Sequence, residues 1–396
     1  MTIASADTAS SRERGAAYRF IVCVGLVSLF ADMTYEGAYS GIGPFLNDLG
    51  VTAALVGVIS GLGEMIAASL RYFSGKLADR TQAYWPIVIA GYVLNLLAIP
   101  ALAFVHSWQA AALLIVIERA GKAIRGPARD VLLSEATGVV GHGKGFGIHA
   151  AMDQTGAIIG PLYVAAVVAR SHVFGPAFLN LGVPAALALA SLLVARHFRP
   201  NKGTPPAPPR EEPLTPVFWT YVAGSGLLAV GFFDFPLLGF HFQHTRMFAP
   251  QTIPLLYAVG MGMVGLTAFV CGHLFDRFGV WILVFGILAT MFALPLGFLG
   301  GAASGVAAVL CWAAGLGVQD ATLRAGIAQV VSMNKRGHAF GALNGVFGVA
   351  WFAGSVVMGQ LYSRSIPALV AFGMVFQIAA AVIFVFVNGP LKRQSR

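Results

Sequence analysis

The chain carries the segment GKLADR at residues 75–80 and a near copy, GHLFDR, at residues 272–277, which is 197 positions later. A longer segment repeats in the same order, because FGIHAAMDQTGAIIG at 146–160 resembles FGALNGVFGVAWFAG at 340–354, after 194 positions. Two repeats at nearly the same offset predict that the chain is built from two homologous halves.

A third pair supports the duplication, since Asp32 in LFAD has a counterpart, Asp234 in GFFD, 202 positions later. The halves are joined by the only stretch that is both Pro-rich and charged, which predicts a linker. Internal repeats of this kind are a feature of secondary transporters, whose halves move around a site near the bilayer midplane. The predicted segments are an N-terminal tail at 1–17, a first six-helix bundle at 18–196, the linker at 197–216, a second six-helix bundle at 217–388 and a C-terminal tail at 389–396.

The composition excludes a soluble enzyme. Charged residues make up 10% of the chain, against roughly 25% in soluble domains, and the mean hydropathy is +0.77. The apolar blocks are about 20 residues long, which suits membrane-spanning helices and not the alternating strands of a barrel. We therefore predict an all-α polytopic membrane protein with twelve transmembrane helices. They lie near 19–46, 52–74, 84–105, 108–135, 144–169, 173–196, 217–243, 252–273, 279–300, 303–328, 337–362 and 366–388.

The basic residues indicate the orientation. With twelve crossings and a cytoplasmic amino terminus, sixteen Lys and Arg fall in cytoplasmic segments and three, Arg170, Arg246 and Arg364, in the opposite ones. This asymmetry follows the positive-inside rule and predicts both termini in the cytoplasm. It also argues against nucleic acid as the partner, because a nucleic-acid binder would collect its cations on one solvated face.

Several kinds of chemistry find no motif in the chain. GxxxxGK[ST], GxSxG and HExxH are all absent, so the sequence supports neither an ATP-driven pump nor a hydrolase. The three cysteines stand in apolar stretches without paired spacing. We expect no cofactor, no enzymatic activity and a monomer.

The motifs resemble those of the major facilitator superfamily of transporters over residues 18–390. Its signature between helices 2 and 3 has four matches in each half: Gly75, Leu77, Asp79 and Arg80 in the first, and Gly272, Asp276, Arg277 and Gly279 in the second. ERAGKAIRGPARD (118–130) is similar to the helix-4 motifs of the family, and GAIIGP (156–161) to its Gly-Pro motif. The first signature lacks its second Gly and its trailing basic residues. The combination resembles a bacterial, efflux-like branch.

Two carboxylates in helix 1 are the first candidate site. Asp32 and Glu36 are four residues apart, so a helix places them on one face about one turn apart. Two nearby carboxylates in a low-dielectric medium do not both ionise easily, which is what a proton-coupling site needs. Tyr35 beside them could donate a hydrogen bond to either. The alternative is that one carboxylate pairs permanently with a helix-4 cation.

Helix 4 supplies the second candidate site, a stripe of charge. Positions 118, 122, 125 and 129 step by four, three and four, so they lie on one face, which must point to the cavity or to helix 1 rather than to lipid. The predicted substrate or coupling residues here are Glu118, Arg119, Lys122 and Arg125, with Arg119 and Lys122 suited to an anionic substrate. Asp153 in helix 5 and Asp234 in helix 7 complete the set.

The family resemblance implies a gate at the cytoplasmic ends of the helices. It would hold that side closed in the outward-open state and would comprise Gly75, Asp79, Arg80, Arg129 and Asp130, with Asp276 and Arg277 as their second-half counterparts.

These residues predict a proton-coupled secondary transporter that moves a small solute or ion complex by alternating access, with export favoured over uptake. The alternatives are an uptake symporter for an organic anion or metal chelate, a transporter-like sensor, and a lipid flippase. A metal site is neither indicated nor excluded.

Overall fold

We describe a computed structural model, which covers the backbone of residues 3–198, 214–331 and 336–394. Within these ranges the chain is helical and contains no strand. The side chains of residues 1–13 and of a few later positions, Asp276 and Arg324 among them, lie outside the description. So does most of the predicted linker, because residues 199–213 are not covered.

The first half of the chain contains seven α-helices, of which the last two are short and together make the sixth crossing. They are α1 (Ile3–Asp48), α2 (Ala53–Thr81), α3 (Tyr84–Ala101), α4 (Trp108–Val140), α5 (His142–Ser171), α6 (Gly175–Asn180) and α7 (Gly182–His197).

The second half also contains seven α-helices, and here the first two share one crossing, the seventh. They are α8 (Pro216–Val230), α9 (Phe235–His244), α10 (Thr252–Phe278), α11 (Trp281–Phe298), α12 (Ala302–Val330), α13 (Arg336–Arg364) and α14 (Ile366–Gln394).

The predicted fold class is confirmed. Eleven of the crossings in the described ranges are long and apolar enough to span a membrane. The twelfth is α4, whose buried charges lower its hydropathy although its 33 residues exceed the span of a bilayer. The protein is therefore an all-α polytopic membrane protein with twelve transmembrane helices in two pseudo-symmetric halves.

The ends of two helices differ from the prediction. Helix α1 begins at Ile3 rather than near residue 19, so the predicted N-terminal tail continues the first helix. Residues 3–14 contain neither Pro nor Gly, which leaves nothing to stop a helix there. Helix α14 likewise runs on to Gln394 instead of ending at 388.

The chain packs as two compact units. The first consists of Met1–Ala38, Leu70–Val105 and Leu113–Pro206, and the second of Tyr39–Ser69, His106–Ala112 and Ala207–Arg396. The units thus differ from the two predicted bundles, because the carboxyl end of α1, the first part of α2 and the start of α4 pack with the helices of the second half.

In the first unit, α3 and α4 are in backbone contact. A Cβ on Gly91 would lie 2.8 Å from the carbonyl oxygen of Gly121, and a Cβ on Gly121 would lie 2.7 Å from that of Gly91. Neither position tolerates a side chain, so the two glycines fix how α4 presents its charged face. An apolar core of the same unit includes Phe20, Trp85 and Leu133.

In the second unit, the seventh crossing is interrupted between Val230 and Phe235. The sequence GFFDFP contains the reason, because Asp234 stands in extended backbone at the N-cap position of α9 and Pro236 follows in the first turn, where proline is favoured. The interruption frees backbone groups, and the indole Nε1–H of Trp312 on α12 donates to the carbonyl oxygen of Phe233 (3.1 Å). Irregular backbone at membrane depth is tolerated only where such partners exist.

Candidate functional site

The centre of the first unit holds two facing carboxyl groups. Asp32 on α1 and Asp153 on α5 are brought together because Gly156, one turn after Asp153, lies against α1. A Cβ on Gly156 would be 3.0 Å from the Cβ of Asp32. The two carboxyl groups are close enough to interact with each other, and Asp32 is only 2% exposed. Two carboxyl groups this close do not both ionise easily in a low-dielectric medium, so the pair can hold a proton.

Glu36, the second carboxylate of α1, pairs with a cation of α4, which is the alternative that the sequence left open. Its Oε1 lies 3.4 Å from Nζ of Lys122 on α4, in an ion pair that is mostly shielded from solvent. The same ammonium lies 3.9 Å from the centre of the Tyr35 ring, in a cation–π contact. Lys122 is thus held by one carboxylate and one aromatic ring, both from α1.

Glu118 and Arg119 form a separate buried group. The Asn95 side chain on α3 donates from Nδ2 to Glu118 Oε1 (2.7 Å), and Arg119 Nε lies 3.4 Å from Glu118 Oε2. Both charged side chains are less than a tenth exposed. Arg119, which the sequence favours as a substrate contact, is therefore engaged with its neighbour on α4.

Arg125 is the most deeply buried cation of α4, at 2% exposure. Its guanidinium carbon lies 4.2 Å from the centre of the Tyr92 ring and 5.6 Å from that of Tyr35. Within the described residues it makes no hydrogen bond and no ion pair, and its Nε is a buried donor without an acceptor.

The residues predicted to form the gate are only partly brought together. Arg129 and Asp130 form an ion pair with each other (2.8 Å). The side chains of Asp79 and Arg80 on α2 are exposed, and no ion pair in the described ranges joins them to that pair. Gly75 lies beside α4, because a Cβ there would be 3.6 Å from the Pro127 ring.

The second-half counterparts of the gate lie at the carboxyl end of α10. Arg277 is exposed, with its guanidinium carbon 5.3 Å from the centre of the Phe278 ring. The side chain of Asp276 lies outside the described residues.

Asp234 forms the polar centre of the second unit. Its Oδ1 accepts hydrogen bonds from the indole Nε1–H of Trp351 (2.8 Å) and from the Tyr39 hydroxyl (3.4 Å), and its Oδ2 accepts one from the Ser355 hydroxyl (3.2 Å). Asp234 is 4% exposed. The carboxylate at the helix interruption thus connects the carboxyl end of α1 with α13.

The sequence did not single out several of these partners. His149, on α5 one turn before Asp153, is buried, and its Nε2 lies 2.8 Å from the Ser28 hydroxyl of α1. Asn95 and Tyr92, which contact Glu118 and Arg125, are two further partners that the sequence did not single out. The four-residue spacing of His149 and Asp153 was a readable signal, whereas nothing in the sequence marks Asn95 or Tyr92 as neighbours of α4.

Trp351→Phe should lower the stability of the protein measurably. The variant keeps an aromatic ring but removes the best-placed donor to a buried carboxylate, a loss of about 1–3 kcal/mol. Thermal unfolding in detergent, followed by light scattering, provides the measurement. Trp219→Phe is the matched control, because Trp219 is half exposed on α8. Equal melting temperatures for both variants would contradict the assigned role of Trp351.

The comparison with known families agrees with this architecture. A family model described as Major Facilitator Superfamily matches residues 24–355 of the chain. The chain belongs to the major facilitator superfamily. Membership of this superfamily makes the protein a membrane transporter. Among the described residues, no cluster of three or more His, Cys, Asp or Glu could hold a metal ion.

Relatives in this superfamily cover the chain to different extents. The Mycobacterium tuberculosis protein named Uncharacterized protein Rv2265 is 38% identical over 403 residues, which covers 98% of this chain and 97% of the relative. Multidrug resistance protein MdtH of Cronobacter sakazakii is 28% identical over 118 residues, or 30% of this chain and 29% of the relative.

Solved structures share the fold at low identity. A POT family transporter in complex with 5-aminolevulinic acid superposes with a TM-score of 0.73 at 13% identity, covering 95% of this chain and 96% of that one. The nucleoside transporter NupG gives a TM-score of 0.70 at 14% identity, covering 93% of this chain and 98% of that one.

Proposed function

We propose that the protein is a proton-coupled secondary active transporter that moves a small solute across the bacterial inner membrane by alternating access. The proximity of the Asp32 and Asp153 carboxyl groups, where α5 meets α1 at Gly156, carries this proposal, because two such groups favour holding a proton at a buried position. Loss of that proton would leave two facing carboxylates in a low-dielectric site, which costs several kcal/mol unless a cation approaches. Release of the proton therefore requires that a positively charged side chain or solute move closer to the two carboxylates.

The neighbouring side chains suit a coupling site. Lys122 interacts with Asp32 and is paired with Glu36 and the face of Tyr35, so its ammonium is a cation that could compensate the charge left by deprotonation. We assign proton binding to Asp32 and Asp153. We assign charge compensation or solute contact to Tyr35, Glu36, Glu118, Arg119, Lys122 and Arg125, with Asp234 as the second-half carboxylate.

Gating is assigned to the ends of the helices that hold the signature residues. In the proposed cycle Asp79 and Arg80 pair with Arg129 and Asp130 when the cytoplasmic side closes, and Asp276 and Arg277 act likewise in the second half. Both termini lie in the cytoplasm, as the distribution of basic residues favours. We propose that the protein acts as a monomer, since each chain contains both halves.

Export is the favoured direction, supported by the partial similarity to a multidrug resistance protein. The second candidate is uptake of an organic anion or metal chelate together with a proton, supported by the cations of α4. The two differ in how solute and proton move, since an antiporter exchanges them and a symporter carries both.

Membrane vesicles can test coupling and direction together. Ethidium, tetraphenylphosphonium, benzoate and succinate are added one at a time to everted vesicles whose lumen has been acidified, and the pH gradient is followed with a fluorescent amine. Export by antiport predicts that at least one solute collapses the gradient in vesicles containing the protein, and not in vesicles without it. Proton entry with solute into right-side-out vesicles would favour symport. Proton movement in neither preparation would contradict the proposal.

A further inference from the structure

The cations of α4 differ in how their charge is balanced. Arg119, Lys122 and Arg129 each lie within 3.4 Å of a carboxylate oxygen, from Glu118, Glu36 and Asp130 in that order. Arg125, which is more deeply buried than any of them, has neither a carboxylate nor another acceptor among the described residues. Its contacts are the faces of two tyrosine rings.

Aromatic faces alone do not balance a buried guanidinium. A cation–π contact offsets only part of the cost of an ionised side chain within a membrane, which stays unfavourable unless the side chain is paired or faces water. Buried charges are therefore paired or coordinate a ligand. Arginine cannot avoid this cost by deprotonation, because it stays charged in proteins. Arg125 thus needs an anionic partner that the described residues do not provide.

The surroundings of Arg125 fit a particular kind of partner. The hydroxyl of Tyr92 is also buried and also has no partner among the described residues, so a second donor sits on the ring against which the guanidinium stacks. Gly91 precedes Tyr92 and touches α4 at Arg125 itself, since a Cβ on Gly91 would be 2.7 Å from the Arg125 backbone nitrogen. The two side chains are thereby held in a fixed relation. A planar guanidinium fork beside a phenol hydroxyl matches the oxygens of a carboxylate or phosphate group.

We propose that Arg125, flanked by Tyr92 and Tyr35, binds the oxyanion of the transported solute, so that the solute carries a carboxylate or phosphate group. This inference rests on the proposed transport function and names its substrate class. It holds for either direction of transport. The alternative is a structural role, in which Arg125 only packs between the two rings.

Thermal unfolding of the purified full-length protein in detergent tests the proposal. Benzoate and succinate form the carboxylate arm, and inorganic phosphate and phenyl phosphate form the phosphate arm. Sodium chloride at matched ionic strength is the reference, because general salt effects must be subtracted. A ligand that binds only the folded state raises the melting temperature of the protein. We expect at least one arm to raise it in a saturable manner, with the responsive arm identifying the oxyanion.

Variants connect that rise to the site. Arg125→Gln should weaken the apparent affinity for the active anion at least tenfold, and Tyr92→Phe, which keeps the ring and removes the hydroxyl, should weaken it less. Arg170→Gln is the matched control, since Arg170 is exposed at the end of α5, and it should leave the affinity unchanged. If Arg125→Gln does not fold, Arg125→Lys replaces it, because lysine keeps the charge and loses the two-pronged geometry.

Two results would overturn the proposal. One is that no anion of either arm stabilises the wild-type protein beyond chloride. The other is that Arg125→Gln, or Arg125→Lys in its place, and Tyr92→Phe retain the full wild-type stabilisation, as a structural role for Arg125 predicts. Neither result bears on the proton between Asp32 and Asp153, which has its own spectroscopic signature, so failure here is distinguishable from failure of the proposed function.

Discussion

Asp32→Asn is expected to abolish transport driven by a pH gradient while the protein stays folded. Asparagine has nearly the same shape as aspartic acid and can still hydrogen bond to Asp153, but it has no proton to exchange. In proteoliposomes, gradient-driven movement of the solute found in the vesicle assay should fall to the level of protein-free vesicles. Exchange of solute across the membrane without a gradient should persist, because it requires no net proton movement.

Infrared spectroscopy tests the same substitution without any solute. A protonated carboxyl group has a C=O absorption that a carboxylate lacks, so the reconstituted wild-type protein should show this band at neutral pH. The band should disappear in Asp32→Asn and in Asp153→Asn. Asp48→Asn is the matched control, since Asp48 lies on the same helix and is exposed. A wild-type spectrum without the band, or one unchanged in both variants, would show that no proton is held there.

Glu36→Gln should also abolish gradient-driven transport, for a different reason. It removes the carboxylate that pairs with Lys122, so the ammonium is left with the Tyr35 ring and the acid pair as its remaining neighbours. The freed cation favours the ionised form of the acid pair. The infrared band should therefore weaken as well, although neither aspartate is altered. Full transport in this variant would limit the coupling site to Asp32 and Asp153.

The second large effect is expected from Gly156→Ala. The added methyl group would collide with the carbonyl oxygen of Leu29 and would lie 2.9 Å from its carbon, and backbone atoms cannot move aside as a flexible side chain can. Helices α1 and α5 must therefore separate. Overpacking of this kind costs about 1–3 kcal/mol, and Gly156→Leu should prevent the first unit from folding.

Gly147→Ala is the control for this substitution. Gly147 lies on the same helix α5, and no described atom stands within 4 Å of the position a Cβ would take. Alanine is favoured over glycine in helices by about 1 kcal/mol, so this variant should be as stable as the wild type or more so. Denaturation in mixed detergent compares the variants. Equal stability of Gly156→Ala and Gly147→Ala would mean that α1 and α5 do not meet at Gly156.

The sequence predicts the fold well because the features that determine it are periodic and long-range in character. Duplicated motifs, apolar blocks and the placement of basic residues each report on whole helices, and small errors at the ends do not alter the count. The interruption of the seventh crossing was also readable, since Asp234 followed by Phe235 and Pro236 is a helix start. What failed was the assumption that an apolar block is one helix.

The sequence proposes residues for the candidate site but contains little information about which of them contact each other. Four-residue spacing placed Asp32 and Glu36 on one face of one helix and left two interpretations open, a proton-coupling pair or the pairing of one carboxylate with a helix-4 cation. The structure shows the second arrangement for Glu36 and Lys122. The neighbour of Asp32 on α5 is instead decided by how closely α5 approaches α1, which depends on the absence of a side chain at Gly156. Spacing along one helix contains no information about that distance. The same holds for Arg125, whose tyrosine neighbours come from two other helices.

The interruption of the seventh crossing also provides an intrinsic fluorescence signal. Two of the six tryptophans, Trp312 and Trp351, direct their indole N–H groups to this one break, to Phe233 and Asp234 respectively. The emission wavelength of an indole depends on the polarity and hydrogen bonding around it. Intrinsic fluorescence therefore reports on the joint between α8 and α9 without any attached label. A rearrangement that separates Asp234 from α13 breaks the hydrogen bond of Trp351 and is expected to shift the emission wavelength of that residue.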